Sequence, residues 1–214
     1  MYAFTYERPA SQADALKLAQ AGGKLLAGGQ TLLASMKLRL AQPGAIVDLN
    51  QVDGLAGIRV SGDQVEIGAM TRHADVAASR EVQHAIPALA ELAGGIGDRQ
   101  VRARGTMGGS LANNDPAACY PSAVLGLGAV VVTSRREIAA EDFFQGMYTT
   151  ALEEGELIKA VRFPVPRRAA YIKFKQPASR FALVGVFVAQ TAQGVHVAVT
   201  GAGLSVFRHA GLEA

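Results

Sequence analysis

The sequence predicts an α+β fold in which a small α/β part is followed by mainly antiparallel strands. Over residues 3–49, short apolar strand patterns alternate with helical patterns, an order that favours a small sheet with helical crossovers. From residue 57 onward, pairs of alternating strands surround short turns, as in β-hairpins. Half of the 214 residues are hydrophobic and 18% are charged, so we expect a packed core rather than disorder.

The N-terminal part begins with a short edge strand at residues 4–6, which Pro9 ends. A helix follows over residues 11–23, because Ser11 can cap it and Gly22 and Gly23 can stop it. The remaining elements of this part are a strand over 24–27, a turn at 28–30, a helix over 31–40 and a strand over 45–49.

The longer remainder of the chain mixes hairpins and helices. Residues 57–69 alternate around Ser61-Gly62-Asp63 and predict a hairpin. Pro121 fits the first turns of a helix. The other predicted elements are helices over 72–79, 84–97 and 117–129, a hairpin of 129–134 with 136–140, a strand over 156–166, and an antiparallel set over 169–175, 181–191 and 194–203.

Composition changes near Pro164 and Pro166, and we place a domain boundary there. The predicted domains are residues 1–53, residues 54–166 and residues 167–214.

Charge gives little reason to expect a nucleic-acid partner. The net charge is +3, and the basic residues form no run with interleaved aromatics. The densest basic group is Arg99, Arg102 and Arg104. It is interpreted either as a solvated or subunit-facing surface or as a group that steers phosphates.

The single cysteine, Cys119, allows no internal disulfide and no Cys/His metal cluster. This composition suits a reducing compartment. The apolar run at 123–132 is shorter than the about 20 residues that a membrane span needs. The N-terminal residues lack the basic start and apolar core of a secretion signal. We therefore expect a cytoplasmic protein without membrane insertion.

Two of the four Gly-Gly pairs carry the main functional hypothesis. The pairs at 22–23 and 94–95 are explained as helix stops. AGGQT (27–31) lies between a predicted strand and a predicted helix, and TMGGS (106–110) precedes a polar loop. Glycine lets backbone approach a ligand closely, and successive N–H groups before a helix can bind an anion. Plain turn geometry is the alternative for each motif.

Neither motif is a P-loop or a Rossmann fingerprint. Because both share small polar residues and belong to different parts of the chain, we hypothesise that they grip one diphosphate from two sides. Asn113, Asn114 and Asp115, just before Pro116, are either ordinary turn formers or part of the same cradle.

Four stretches resemble the FAD-binding medium subunit of the molybdenum hydroxylases, the family of aerobic carbon monoxide dehydrogenase and xanthine dehydrogenase. They are AGGQTLLASMKLRLAQPGAIVDLN, IGAMTRHADVA, IGDRQVRARGTMGGSLANNDPAACYPSAVLGLGA and GELIKAVRFPVP. The resemblance implies a vanillyl-alcohol-oxidase-type fold, in which two subdomains clasp FAD. Relatives continue for several tens of residues beyond the position of Ala214, so it also implies a short C-terminal α+β domain.

The resemblance also implies the residues that contact FAD. Relatives usually have an acid where Cys119 stands, so its contact with flavin is in question, and it is either a small buried residue or a reactive thiol. Phe181 corresponds to an aromatic near the flavin ring. The other implied contacts are Lys24, Ala27, Gly28, Gly29, Gln30, Thr31, Ile96, Thr106, Met107, Gly108, Gly109, Ser110, Asn114, Asp115, Ile158 and Lys175.

In this family the flavin subunit transfers electrons rather than oxidising the organic substrate. The resemblance implies a large molybdopterin subunit and a small subunit with [2Fe–2S] clusters as partners, and non-covalent FAD as the cofactor. Electrons would leave to NAD, a quinone or oxygen. The four histidines show no triad spacing, and no residue is predicted to be catalytic. A free-standing FAD oxidoreductase and an apo assembly subunit are the alternatives.

Overall fold

The computed structural model describes all 214 residues, and it begins with a small parallel sheet. Its strands are β1 (Thr5–Glu7), β2 (Lys24–Leu26) and β3 (Ala45–Asp48). The order is β1-β3-β2, with both pairs parallel. The crossover helices are α1 (Gln12–Gln20) and α2 (Leu32–Lys37). This confirms the predicted strand–helix alternation and the edge position of the first strand.

The second sheet has five antiparallel strands. They are β4 (Ile58–Ser61), β5 (Gln64–Gly68), β6 (Val130–Thr133), β7 (Glu137–Ala139) and β10 (Ile158–Pro164), and a separate small hairpin consists of β8 (Phe144–Gly146) and β9 (Thr149–Thr150). The order β4-β5-β10-β6-β7 places β10 in the centre, between the two predicted hairpins.

Helices connect β5 to β6 and cover this sheet. They are α3 (His73–Ala78), α4 (Arg80–Ala85), α5 (Pro87–Gly94), α6 (Arg99–Arg104), α7 (Met107–Asn113) and α8 (Tyr120–Gly126), while the one-turn α9 (Ala140–Phe143) follows β7. No helix combines the length and apolar character that crossing a bilayer requires.

The third sheet has the antiparallel order β11-β12-β13-β14, confirming the predicted antiparallel set. Its members are β11 (Arg168–Lys175), β12 (Ala182–Thr191), β13 (Gly194–Thr200) and β14 (Phe207–Arg208), and the chain ends with α10 (Ala210–Glu213).

One core of 31 buried residues joins the second sheet, the helices and the third sheet. Phe163 of β10, Tyr120 of α8 and Phe187 of β12 are all fully buried in it. A smaller cluster of seven residues, including Ala15 and Val47, lies under the N-terminal sheet. The division into three domains remains a prediction.

Two secondary-structure predictions, one of a helix and one of a loop, were wrong in detail. The helix predicted over 84–97 is divided, because Pro87 begins α5 and Ile86 has a non-helical backbone (φ −142°, ψ 72°). No helix was predicted between residues 97 and 117, where TMGGS and a polar loop were expected, but this segment contains α6 with its end cap at Gly105 and the whole of α7. Thr106 caps α7, and its hydroxyl accepts a hydrogen bond from the Gly109 N–H at 3.2 Å.

Candidate cofactor-binding site

A cleft of about 470 Å³ lies where the N-terminal sheet meets α7 and β10. Both glycine motifs line it. Such a volume lies within the usual range for cofactor and small-molecule sites. The predicted contacts along its walls are Lys24, Ala27, Gly28, Gly29, Gln30, Thr31, Ile96, Thr106, Gly108, Gly109, Ser110, Asp115, Cys119 and Ile158.

The first glycine motif connects β2 to α2 and contains backbone donors without an acceptor in the protein. Gly29 has φ +72°, a conformation that glycine adopts without a Cβ penalty. The four N–H groups from Gly28 to Thr31 donate to no acceptor in the protein. Asn50 steadies the motif, because its Nδ2 donates to the Ala27 carbonyl oxygen at 3.2 Å. Consecutive free amides before a helix form a concavity that suits an anion.

The second glycine motif differs from the prediction, because its amides are already hydrogen-bonded. Met107 N–H donates to the Thr71 carbonyl at 3.1 Å and Gly108 N–H to the Ala69 carbonyl at 2.8 Å, while Gly109 N–H bonds to Thr106. The expectation that both motifs donate free amides to one diphosphate is therefore corrected. The second motif contributes a wall without side chains, together with the hydroxyls of Thr106 and Ser110.

The two motifs meet in space although they lie at residues 27–31 and 106–110 of the sequence. A Cβ atom on Gly28 would overlap the Arg104 carbonyl oxygen and lie 2.8 Å from the Gly105 Cα atom. A Cβ atom on Gly109 would lie 3.4 Å from the Ala27 Cβ atom. The predicted convergence is thus present, and glycine at position 28 is required for it.

Three predicted contacts do not line the cleft. Met107 is fully buried in the core. Asn114, which adopts a left-handed backbone (φ +41°), turns its Nδ2 away to the carbonyl oxygens of Gly146 at 2.7 Å and Thr149 at 2.8 Å. Lys175 is exposed at the end of β11, after a register shift that follows Phe174.

Several residues that line the cleft are not among the contacts predicted from the sequence. His73 and Glu156 both border the cleft, as do Ser179 and Arg180 beside Phe181. His73 lies in the stretch IGAMTRHADVA, but no residue type or spacing in that stretch indicates that its side chain borders the cleft. Glu156 is the first residue of the strand predicted over 156–166, but its burial depends on partners that are 20 or more residues away.

Neutral and anionic groups coexist along the cleft. Burial, with a smaller contribution from the Arg102 charge, lowers the pKa of His73 to about 4, so the imidazole is neutral near pH 7. Burial opposes ionisation of Glu156, but hydrogen bonds from the Glu153 N–H, the Thr133 hydroxyl and Arg136 outweigh it and lower its pKa.

Arg102 has a structural role, because its side chain is hydrogen-bonded within the protein. Its Nη1 donates to the carbonyl oxygens of Ile96 at 3.0 Å and Gly97 at 3.1 Å. It thereby fixes the turn that carries Ile96 into the cleft.

These residues fit the diphosphate of a dinucleotide. Four unpaired amides form one side, two hydroxyls and bare glycine backbone form the other, and apolar residues such as Ile96 and Ile158 extend the cleft beyond them. The fold and this cleft fit the class of proteins that bind a dinucleotide cofactor between two parts of the chain.

The comparison with known families agrees. Residues 2–166 match the FAD binding domain in molybdopterin dehydrogenase, and the chain belongs to this family. The predicted family and the FAD cofactor are confirmed.

Relatives extend the likeness over nearly the whole chain. It is 39% identical to the carbon monoxide dehydrogenase medium chain of Hydrogenophaga pseudoflava, over 97% of this chain and 78% of that one. It is also 39% identical to the nicotine 6-hydroxylase medium subunit of Paenarthrobacter nicotinovorans, over 87% of this chain and 68% of that one.

The fold is also similar to that of a solved structure, reconstituted CO dehydrogenase from Oligotropha carboxidovorans, with a TM-score of 0.94. The two sequences are 35% identical, and the match covers 99% of this chain and 79% of the other. The predicted fold class is confirmed, as is the assignment to a flavoprotein subunit of an oxidoreductase complex. A medium chain is one component of a larger assembly, so the prediction of partner subunits is confirmed as well.

Proposed function

We propose that this chain binds FAD non-covalently in the cleft and passes electrons from the [2Fe–2S] clusters of a small subunit to an external acceptor such as NAD, a quinone or oxygen. The organic substrate would be oxidised on a large molybdopterin subunit. The observation that supports this most is the set of four free amides from Gly28 to Thr31, which belong to residues that line the same cleft as the glycine backbone of the second motif.

Each wall of the cleft has a distinct task in this proposal. The amides of the first motif would hold the diphosphate. The hydroxyls of Thr106 and Ser110 would add donors from the other side. Ile96, Ile158 and Phe181 would offer apolar contacts to the rings. We retain Lys24, Gln30 and Asp115 as proposed contacts because they line the same cleft.

FAD, when bound, supplies one- and two-electron chemistry, while the protein binds it, orients it and sets its electrostatic surroundings. His73 contributes no charge near pH 7 because its pKa is about 4. The buried carboxylate of Glu156 is compensated by Arg136. No side chain in the cleft has the arrangement of a nucleophile with an adjacent base, and the proposal assigns none a catalytic step.

Relatives of equal identity act on different substrates. Those named for carbon monoxide and for nicotine are both 39% identical to this chain. This supports the proposal that the substrate is selected on another subunit. We also infer a cytoplasmic location, since the only cysteine, Cys119, is free.

The decisive experiment is to purify the native complex and assay flavin, molybdenum and iron. We expect FAD that acid precipitation releases from the protein, together with both metals. Flavin without the metals would favour a free-standing FAD oxidoreductase, and metals without flavin would favour an apo assembly subunit. Flavin that stays attached to the denatured chain would overturn non-covalent binding.

A further inference from the structure

The Lys173 side chain joins three segments that border the cleft. Its ammonium donates to the Gly95 carbonyl oxygen at 2.7 Å and to the Arg180 carbonyl oxygen at 3.0 Å, and its Nζ lies 3.4 Å from the Cys119 sulfur. A lysine ammonium has three N–H donors, so each one has a partner here. The partners lie at the end of α5, in the loop of residues 176–181, and at the start of α8.

Each of these three segments carries cleft-lining residues. Ile96 and Gly97 follow Gly95 directly, Cys119 lines the cleft itself, and Phe181 adjoins Arg180. A shift of any one segment would therefore change the shape of the same wall. Lys173 itself is not among the lining residues, so it can act on a bound cofactor only through its partners.

The loop of residues 176–181 connects β11 to β12 and makes one hydrogen bond with Lys173. Its other hydrogen bonds remain within the loop: Gln176 Oε1 accepts from the N–H groups of Ala178 at 2.6 Å and Ser179 at 2.8 Å, and the Gln176 N–H donates to the Phe181 carbonyl at 2.9 Å. The contact with Lys173 is the hydrogen bond that ties the loop to the remainder of the protein. The loop is exposed and Arg180 has a left-handed backbone (φ +62°), so internal bonds alone would not fix its orientation.

The strand context explains why the lysine can reach so far inward. Tyr171 and Lys173 are two positions apart on β11, so their side chains leave the same face of the sheet. Tyr171 packs on Phe187, with ring centroids 6.2 Å apart. Beside this packed pair the methylene stem of Lys173 can run along apolar surface while the ammonium extends to polar partners.

We propose that Lys173 is a positioning residue of the flavin site, which holds the loop carrying Arg180 and Phe181 against Cys119 and Gly95. This inference rests on the proposed function, because it assumes that FAD occupies the cleft. Its effect on the loop can nevertheless be measured without FAD.

The test compares the full chain with its Lys173→Met and Lys173→Arg variants. Lys17→Met is the matched control, since Lys17 is exposed on α1 and outside the cleft. In the flavin-free proteins, trypsin cleavage after Arg180 is followed by mass spectrometry, with cleavage after the exposed Arg39 as the internal reference. We expect Lys173→Met to speed cleavage after Arg180 about tenfold relative to Arg39 and Lys173→Arg to restore most of the protection.

The second readout is the bound flavin. In Lys173→Met we expect FAD to bind about tenfold more weakly and its visible circular dichroism to change, with both effects absent from Lys17→Met. Unchanged cleavage after Arg180 together with an unchanged flavin spectrum would overturn the inference. If the wild-type chain bound no FAD, the proposed function would fail. The ratio of cleavage after Arg180 to cleavage after Arg39 would then be the only test of whether Lys173 holds the loop. Lys173→Gln replaces the Met variant if the latter does not fold.

Discussion

Gly28 packs directly on the peptide unit of Arg104: a Cβ atom at position 28 would overlap the Arg104 carbonyl oxygen and lie 2.7 Å from its carbonyl carbon. This contact holds the first glycine motif next to the second. Since both partners are backbone, neither can rotate away as a flexible side chain would. The close approach therefore depends on the absence of one methyl group.

Gly28→Ala is expected to separate the motifs. We predict a loss of about 1–3 kcal/mol in the free energy of unfolding and FAD binding weakened by more than about tenfold, measured by urea denaturation and flavin titration. Gly44→Ala is the matched control, because a Cβ atom there would meet nothing within 4 Å. Equal flavin affinity in the two variants would contradict this account of Gly28.

Gly109→Val is expected to remove FAD binding while the fold remains. The first added carbon would lie 2.9 Å from the Thr106 hydroxyl and 3.4 Å from the Ala27 Cβ atom, and its two methyl groups would enter the space between the motifs. We expect almost no flavin in a protein with normal far-UV circular dichroism.

Gly108→Val provides the contrast. A Cβ atom there would lie 2.6 Å from the Ala69 Cβ atom, so that variant should lose about 1–3 kcal/mol of stability instead. A folded Gly109→Val protein with full flavin content would disprove the placement of the diphosphate.

The sheets were predictable from sequence, because alternating strands and turn residues are local patterns. The helix α7 was not. Its Gly108 and Gly109 are poor helix formers, and the helix starts because Thr106 caps it and because Ala69 and Thr71 accept its first amides. Those acceptors lie more than 35 residues away, so no local pattern reveals them.

The cofactor-binding site was predictable only where its residues form a local sequence pattern. Both glycine motifs are recognisable as short stretches of sequence. Their convergence in space was expected because one diphosphate was assigned to both of them. Lys173 was not found, because its partners come from three distant segments. Asn114 was assigned to the cofactor because it stands in a polar stretch, whereas its side chain bonds to the β8–β9 hairpin.

Asn114→Ala therefore tests a structural role against a ligand role. The change leaves the carbonyl oxygens of Gly146 and Thr149 without their donor, and it places alanine at φ +41°. We expect the free energy of unfolding to fall by about 2–4 kcal/mol with FAD affinity unchanged at 10 degrees or more below the melting midpoint. A selective loss of affinity at unchanged stability would restore Asn114 as a cofactor contact.

His73 is expected to make stability depend on pH in the acid range. Its pKa falls from 6.5 to about 4 on folding because burial disfavours the charged imidazole. The unfolded chain then binds the proton first, so the stabilisation is complete above pH 6.5 and is lost as the pH falls from there towards 4. His73→Phe should remove this loss, which amounts to at most about 3 kcal/mol.

Urea denaturation at several pH values between 7 and 4 measures the effect. His84→Phe, on an exposed position of α4, controls for the removal of an imidazole. If the wild type and His73→Phe lost stability equally across this range, the burial of a neutral His73 would be refuted.

The continuous core has a consequence for how this protein can be divided. The match to the FAD binding domain covers residues 2–166, yet Gly126 of α8 lies so close to Phe187, which is outside that range, that a Cβ atom would come within 3.0 Å of the phenylalanine ring. The His196 imidazole also pairs with the Gly126 carbonyl oxygen at 3.1 Å. The matched residues therefore share one core with the third sheet, and a fragment cut at residue 166 would expose the apolar side of α8 that this sheet covers, so we expect such a fragment to self-associate.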